Sequence, residues 1–358
     1  MRQNKIMRTR SKAIFSISFV LILAGCEALT YGYQAFEGHG AVLNARVDID
    51  DAIANTDLPP EVRAKLRLSK VVIAFAETEG LSVGGNYRHY ARTDEKAVVY
   101  NVFATPEFDL TAVENCFLVV GCVAYRGFYR RSDAEAYGEN LAAQGFDTAI
   151  FPIRAYSTLG WTADPLTTAM LSMAPDDFVR TLFHESVHTT LYLGGDTSFD
   201  EGLAEAVAEV LSARFWQTFP ELTSEFAPGS VDQSQYERSA LAVSEAARVM
   251  RLQLSALYQN SDVGVEEKRA IKADLFRQFR AWHRANQRGL APYTYAALFL
   301  PDMNNAYLLA FGVYDDLKPS IRQALEDRFN GNVQALIAWA RSTQNMSPQQ
   351  RRQALAAL

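Results

Sequence analysis

The chain has 358 residues, 49% of them hydrophobic and 21% charged, which gives ample material for a core and excludes a largely disordered protein. Lys and Arg number 35 against 41 Asp and Glu, a formal net charge of −6, which argues against nucleic acid as a partner. The basic groups are unevenly placed. Arg2, Lys5, Arg8, Arg10 and Lys12 fall within residues 1–25, which hold no acid, so the remainder carries −11.

Those five cations are followed by the apolar run A-I-F-S-I-S-F-V-L-I-L at 13–23, too short to span a bilayer and of signal-peptide length. It ends in Leu23-Ala24-Gly25-Cys26, which resembles a bacterial lipobox. Cleavage there would leave a lipidated Cys26 that holds the protein at a membrane surface. The alternative is an ordinary secretory signal with a chance cysteine. Glu27 follows where an Asp is associated with inner-membrane retention. The expectation is therefore a lipid-anchored protein of the bacterial cell envelope, on the outer membrane and facing the periplasm. In that oxidising compartment Cys116 and Cys122 form either a disulfide or two buried thiols.

Residues 26–56 read as a linker with loosely helical spacing, interrupted by Gly38 and Gly40. His39 at that break reads as a surface histidine. Leu58-Pro59-Pro60-Glu61 opens a helix to about Glu79, with Leu66, Val72, Ile73 and Phe75 on its apolar side. Strands are expected at 96–104, 116–125 and 148–156, with a helix over 133–145 ended by Gly145. The stretch 149–160, including Tyr156, Ser157 and Thr158, reads either as a sheet edge to which an extended substrate adds or as a buried strand. His89 has no metal partner at helical spacing and reads as structural. Beyond the central motif the chain is helical, with candidates at 199–217, 233–259, 264–288, 301–318, 319–329 and 331–341. Leu241, Ala247, Leu252, Leu254 and Leu257 are expected packing positions of a hairpin over 233–288, and His283 a helix-face residue. The fold class is α+β, mostly helical. The parts are a signal peptide at 1–25, a linker at 26–56, an α+β part at 57–218 with a small sheet beside the central helix, and a helical part at 219–358.

The chemistry lies in F-H-E-S-V-H-T-T-L-Y-L-G-G-D-T-S-F-D-E-G-L-A-E at 183–205. Pro175, Asp176 and Asp177 suit a first helical turn and Gly194-Gly195 a stop, so a helix is expected over 175–193. His184 and His188, four apart, then share one face and can direct two imidazole nitrogens at one zinc ion. Glu185 lies beside them as a general base for a metal-bound water. A catalytic zinc needs a third protein ligand, and Glu201 at the start of a second helix is the candidate. Glu205, one turn later, would take the N–H of a ligating imidazole. Ser198-x-x-Glu201 is equally a capping box, in which Glu201 would bond only backbone.

H-E-S-V-H followed by D-E-G-L-A-E resembles the gluzincin metallopeptidases, with Asp200 where an Asn is usual. More closely, the chain resembles a family of bacterial lipoproteins classed as aminopeptidases, through G-C-V-A-Y-R-G-F-Y at 121–129, A-Y-S-T-L-G-W at 155–161, D-P-L at 164–166, the 183–205 stretch and N-N-A-Y-L at 304–308. The resemblance implies a zincin-like fold, one Zn2+ per chain and a peptide or protein substrate. It also implies a donor to the oxyanion from the C-terminal helical part, with Asn304, Asn305 and Tyr314 as candidates. The G-x-M-E-N segment that binds the substrate amino group in aminopeptidase N-like enzymes is absent. An endopeptidase acting on periplasmic or cell-wall peptides therefore stays open. So does a non-catalytic, partner-binding lipoprotein with structural zinc, closed by Asp200 or Glu205.

Overall fold

The computed structural model describes residues 31–32, 34–93, 97–117, 121–155, 158, 161–226, 233–291, 299–309 and 317–358. Cys26, Tyr156, Ser157 and Tyr314 lie outside the described residues. The chain is mostly helical, with short sheets in its first half, an α+β arrangement. A helix at 34–44 (α1) leads into β1 (Arg46–Asp48), α2 (Ile49–Ala54) and α3 (Pro60–Thr78). Pro60 opens α3, as its fixed φ and missing N–H suit a first turn. Leu66, Val72 and Ile73 are buried on its inner face, with Leu68 and Ala76 added.

Two small sheets come after α3. β1 pairs antiparallel with β2 (His89–Ala91), which pairs parallel with β8 (Leu166–Thr167). The second sheet has the order β6-β3-β7, all antiparallel, from β3 (Val99–Pro106), β6 (Tyr125–Phe128) and β7 (Phe146–Ile153). The single strand expected over 116–125 is corrected. β4 (Asn115–Phe117) and β5 (Gly121–Val123) form a hairpin, and only Tyr125 belongs to the next strand. Cys116 and Cys122 are direct cross-strand partners joined by a disulfide, which two residues six apart on one extended strand could not be. α4 (Arg131–Ala143) covers one face of the second sheet, and the chain leaves it through Gly145 at φ 89°, a conformation that favours glycine.

The helices α5 (Thr168–Leu171), α6 (Pro175–Thr190), α7 (Thr197–Thr218) and α8 (Pro220–Phe226) come next. They are followed by α9 (Gln233–Gln259), α10 (Val265–Leu290), a short run at 305–309 (α11), α12 (Lys318–Asp327), α13 (Val333–Ser342) and α14 (Pro348–Ala356). The largest core lies where α3, α6 and α7 meet α12, α13 and α14. There Phe75 meets Phe183 and Phe215 edge-on, with ring centroids 5.9 and 5.6 Å away. A second core joins the other face of the β3 sheet to α9, α10 and α11. In the α9–α10 hairpin Ala247, Leu254 and Leu257 are buried as expected, but Leu241 and Leu252 are corrected: they are 66% and 58% exposed. The inner stripe of α9 runs through Val243, Ala247, Met250, Leu254 and Leu257, and the two other leucines fall off it. The helix expected from 301 begins only at 305, because the Asn304 side chain accepts the Ala306 N–H and caps it there. α14 is not among the expected helices, although Ser347 and Gln350 form a capping box at its start. Among the described residues no helix is long and apolar enough to cross a membrane.

The outer edge of the second sheet is open along β7. Among the described residues β7 pairs only with β3, and the Ile153 carbonyl accepts from Val98 N–H on that side. With a two-residue period, residues 148, 150 and 152 then turn their backbone groups outward. Asn304 Nδ2 takes the Thr148 carbonyl at 2.9 Å and closes that end. Pro152, which has no N–H to offer, sits where no sheet partner needs one.

Candidate metal centre

α6 is built as its sequence suggests, with Pro175 at its first position and Asp176 and Asp177 in its first turn. It ends at Thr190, three residues before the expected 193. Gly194 and Gly195, at φ 66° and 68°, then turn the chain into α7. The Asp200 carboxylate holds that turn, accepting the N–H of Leu193 at 3.0 Å and of Gly194 at 3.2 Å. Burial pushes the Asp200 carboxyl up to about 6 against the pull of those bonds and of His188. Gly202 lets α12 approach: a Cβ there would lie 3.3 Å from Leu317 Cβ and from Lys318 N.

The capping-box reading of Glu201 does not hold. α7 starts at Thr197 with Asp196 as its N-cap, so Ser198 lies inside the helix and Glu201 turns to the histidines. His184 Nε2 and His188 Nε2 are 3.0 Å apart. Glu201 Oε2 is 3.2 Å from the first and 3.5 Å from the second. Two ligands held tetrahedrally at about 2.05 Å from one ion stand about 3.3 Å apart, and these three separations bracket that value. Glu201 Oε2, His184 Nδ1 and His188 Nδ1 are buried without a hydrogen bond of good geometry. Leaving such groups unpaired is costly, and a cation at the point of convergence removes the cost for the carboxylate. These three residues therefore form a buried group able to hold a metal.

Charges around the group are arranged in a row along α7. Glu205 Oε1 lies 3.2 Å from His184 Nδ1, on the far side of the ring from the convergence. One turn on, buried Glu209 pairs with Lys318 at 3.0 Å and Arg322 at 3.3 Å on α12. Burial alone would push the Glu205 carboxyl up, but His184, Arg180 and Lys318 outweigh it and bring it down to about 2. Burial likewise works against a charged His184, and Glu201 and Glu205 overcome it, so the ring takes a proton well above its ordinary range. Glu185 is buried beside the histidines. Burial raises its carboxyl while His184 and His188 pull the other way.

His184, Glu185 and Glu205 open on a cleft of about 320 Å3 whose other wall includes Pro152 to Ala155, the end of β7 and the residues after it. A groove of about 720 Å3 continues along Thr148–Pro152. Thr158 is not on this edge. Its N–H and hydroxyl both bond the buried Asp164 carboxylate, at 2.7 and 2.9 Å, and the strand itself ends at Ile153. Asn86 ties Asp164 to Thr189 on α6, giving the D-P-L stretch a structural task. Asn304 and Asn305 are not oxyanion donors either. Asn304 bonds Thr148, and Asn305 spends its amide on Glu107 and Asp109 carbonyls at 3.1 Å while accepting from Tyr258. His39 is half-buried against Thr162, and His283 is buried and stacked 3.9 Å from Phe299.

Sequence reasoning missed two phenols. Tyr192 lies with its ring 6.1 Å from His188, and burial, then Asp200 and Glu201, push it up to about 12. Tyr125, packed on Phe103, is raised by burial and then by the charges of Glu201, Tyr192 and Glu185. The signal for Tyr125 was the G-C-V-A-Y-R-G-F-Y stretch, which no local spacing connects to the histidines.

Comparison with curated proteins and with solved structures gave no match. A family model described as "putative aminopeptidase" matches residues 30–355, and the chain belongs to that family, whose description points to peptidase activity.

Proposed function

We propose that the protein is a zinc-dependent peptidase of zincin-like, gluzincin-type architecture, lipid-anchored through Cys26 on the periplasmic face of the outer membrane. The observation that carries the catalytic part is the convergence of His184, His188 and Glu201 with Glu185 beside them on an open cleft. Bound at that point, zinc supplies a Lewis acid for the scissile carbonyl and makes water acidic enough to deprotonate near neutral pH. Glu205, 3.2 Å from His184 Nδ1, is placed to orient that ring and leave Nε2 as the ligating atom. Glu185 takes the proton of the attacking water and delivers it to the leaving amine. Tyr125 and Tyr192, kept protonated by their surroundings, are candidate donors to a developing oxyanion. An extended peptide fits along the open edge of β7, where Ile150 turns an N–H and a carbonyl outward.

A structural zinc needs a fourth protein ligand. The two residues that could supply it are held elsewhere, Asp200 on Leu193 and Gly194 and Glu205 on His184 Nδ1, which supports an open fourth position. The family description favours an aminopeptidase. An endopeptidase is the second reading, because the carboxylates lining the cleft have other tasks, Glu185 as base and Glu205 on His184. Elemental analysis of the purified protein beside His188→Ala tests the metal, with about one zinc per chain expected in the first and none in the second. Glu185→Gln should keep the zinc and lose at least about a hundredfold in peptide hydrolysis. A wild-type chain that takes up no zinc would sink the reading.

A further inference from the structure

Among the described residues, the charges lining the cleft beside Glu185 are, with one exception, already engaged. His184 and Glu205 face each other, and Glu185 lies among the histidines. Arg180 pairs with Asp177 at 3.1 Å; burial works against its charge, but Glu205, Asp177, Glu209 and Asp176 outweigh burial and keep it protonated. The exception is Arg154. It lines the cleft, is exposed, and has no ion-pair or hydrogen-bond partner among the described residues. It comes directly after β7, so its guanidinium stands at the metal end of the open backbone edge. The surrounding wall of Pro152, Ile153, Ala155 and Met173 is largely apolar. A guanidinium with no partner among the described residues, beside an apolar wall, gains most from a planar anion that it can meet with two N–H groups.

We infer that Arg154 is a specificity-determining residue, selecting peptides that present a carboxylate to the β7 side of the cleft next to the scissile bond. This rests on the peptidase reading of the site. The carboxylate can come from an acidic side chain or from a free C-terminus, since both offer the same two oxygens. Among the described residues no carboxylate of the cleft is left for an α-ammonium group on this side, so this wall is inferred to take a carboxylate and not a free N-terminus.

The test is binding to the zinc-loaded full chain carrying Glu185→Gln, so that affinity is read without turnover. Fluorescent peptides are compared as matched pairs, Glu against Gln at each position along the peptide, and a free C-terminal acid against its amide. At least one carboxylate peptide should bind about tenfold more tightly than its neutral partner, the size of one charge-assisted contact at a partly exposed site. The pair that shows the difference identifies the source. The preference should vanish with Arg154→Gln and turn to the matching Lys peptide with Arg154→Glu, at unchanged zinc content. Equal binding within every pair, or a preference that survives Arg154→Glu, overturns the inference. Hydrolysis by the wild type is scored separately. A carboxylate preference without any cleavage would remove the catalytic reading and leave the role of Arg154 standing.

Discussion

At the scale of residues, two glutamates one turn apart do different work because they meet opposite ends of the same imidazole. Glu201 stands at the convergence with both Nε2 atoms, whereas Glu205 touches only His184 Nδ1. Glu201→Ala should therefore remove most zinc binding, while Glu205→Ala should weaken it by about 10–100-fold, the usual cost of losing an outer partner. Competitive titration against a chelator measures both, and the reverse order would exchange the two roles. A pH effect arises from the same charges. Against burial, Glu201 and Glu205 raise His184 well above its ordinary value in the folded, metal-free chain and so favour the protonated ring. A metal must displace that proton, and uptake at pH 7 should release about one proton per chain, seen by calorimetry in buffers of different ionisation enthalpy. The sign for the metal-free protein is opposite. Its His184 contribution to stability is complete below the unfolded value of about 6.5 and is lost as pH rises through the folded one. Zero proton release would mean that His184 is neutral in the metal-free fold. The histidines and Glu185 were legible in the sequence because their spacing is local and acts within one helix. Glu201 was ambiguous, since Ser198-x-x-Glu201 satisfies a capping pattern equally well, and only the observed helix start decides it. Tyr125 was not legible at all: the pairing of β6 with β3 brings it there across some sixty residues of sequence, a distance that spacing rules do not bridge.

At the scale of elements, the site depends on how the start of α7 is fixed against the rest of the chain. Asp196, the N-cap, spends its carboxylate on Arg351 of α14 at 2.5 Å, with both side chains nearly fully buried. Arg351 also bonds Thr343 and the Met346 carbonyl, so one guanidinium clamps the last helix to the residue that opens α7. Removing one partner leaves the other charge buried and alone, a loss of about 3–5 kcal/mol. Arg351→Met should destabilise the chain by that amount in urea unfolding, and because α7 carries Glu201 it should weaken zinc binding as well. The double variant Arg351→Met with Asp196→Asn should recover part of the stability. A single variant with unchanged unfolding would show that the pair is not closed in solution. The long helices were legible because amphipathic spacing runs over many turns, α9 at 233–259 being the clearest case. The sheets were less so. Strands of two to four residues such as β1, β2 and β8 carry too few positions for alternation to register, and the hairpin at Cys116–Cys122 hid inside one apolar run.

At the scale of the molecule, charge and the proposed anchor bear on each other. Without residues 1–25 the chain carries −11, so an anionic membrane surface repels the body of the protein and does not draw it in. No described helix is long and apolar enough to span a bilayer. In the proposed reading the acyl chains of Cys26 carry the attachment, and two or more such chains hold a protein stably where one does not. Two outcomes are expected. High salt, which releases proteins held by charge, should leave the wild type in the membrane fraction, because no attraction is being screened. Cys26→Ser should move the protein to the soluble fraction with zinc content unchanged, since the metal group is formed by α6 and α7 alone. If Cys26→Ser protein still sediments with membranes, the lipobox reading of Leu23-Ala24-Gly25-Cys26 fails, and the exposed apolar side chains of the body, Trp161 at 72% and Leu241 at 66%, become the place to look for the contact.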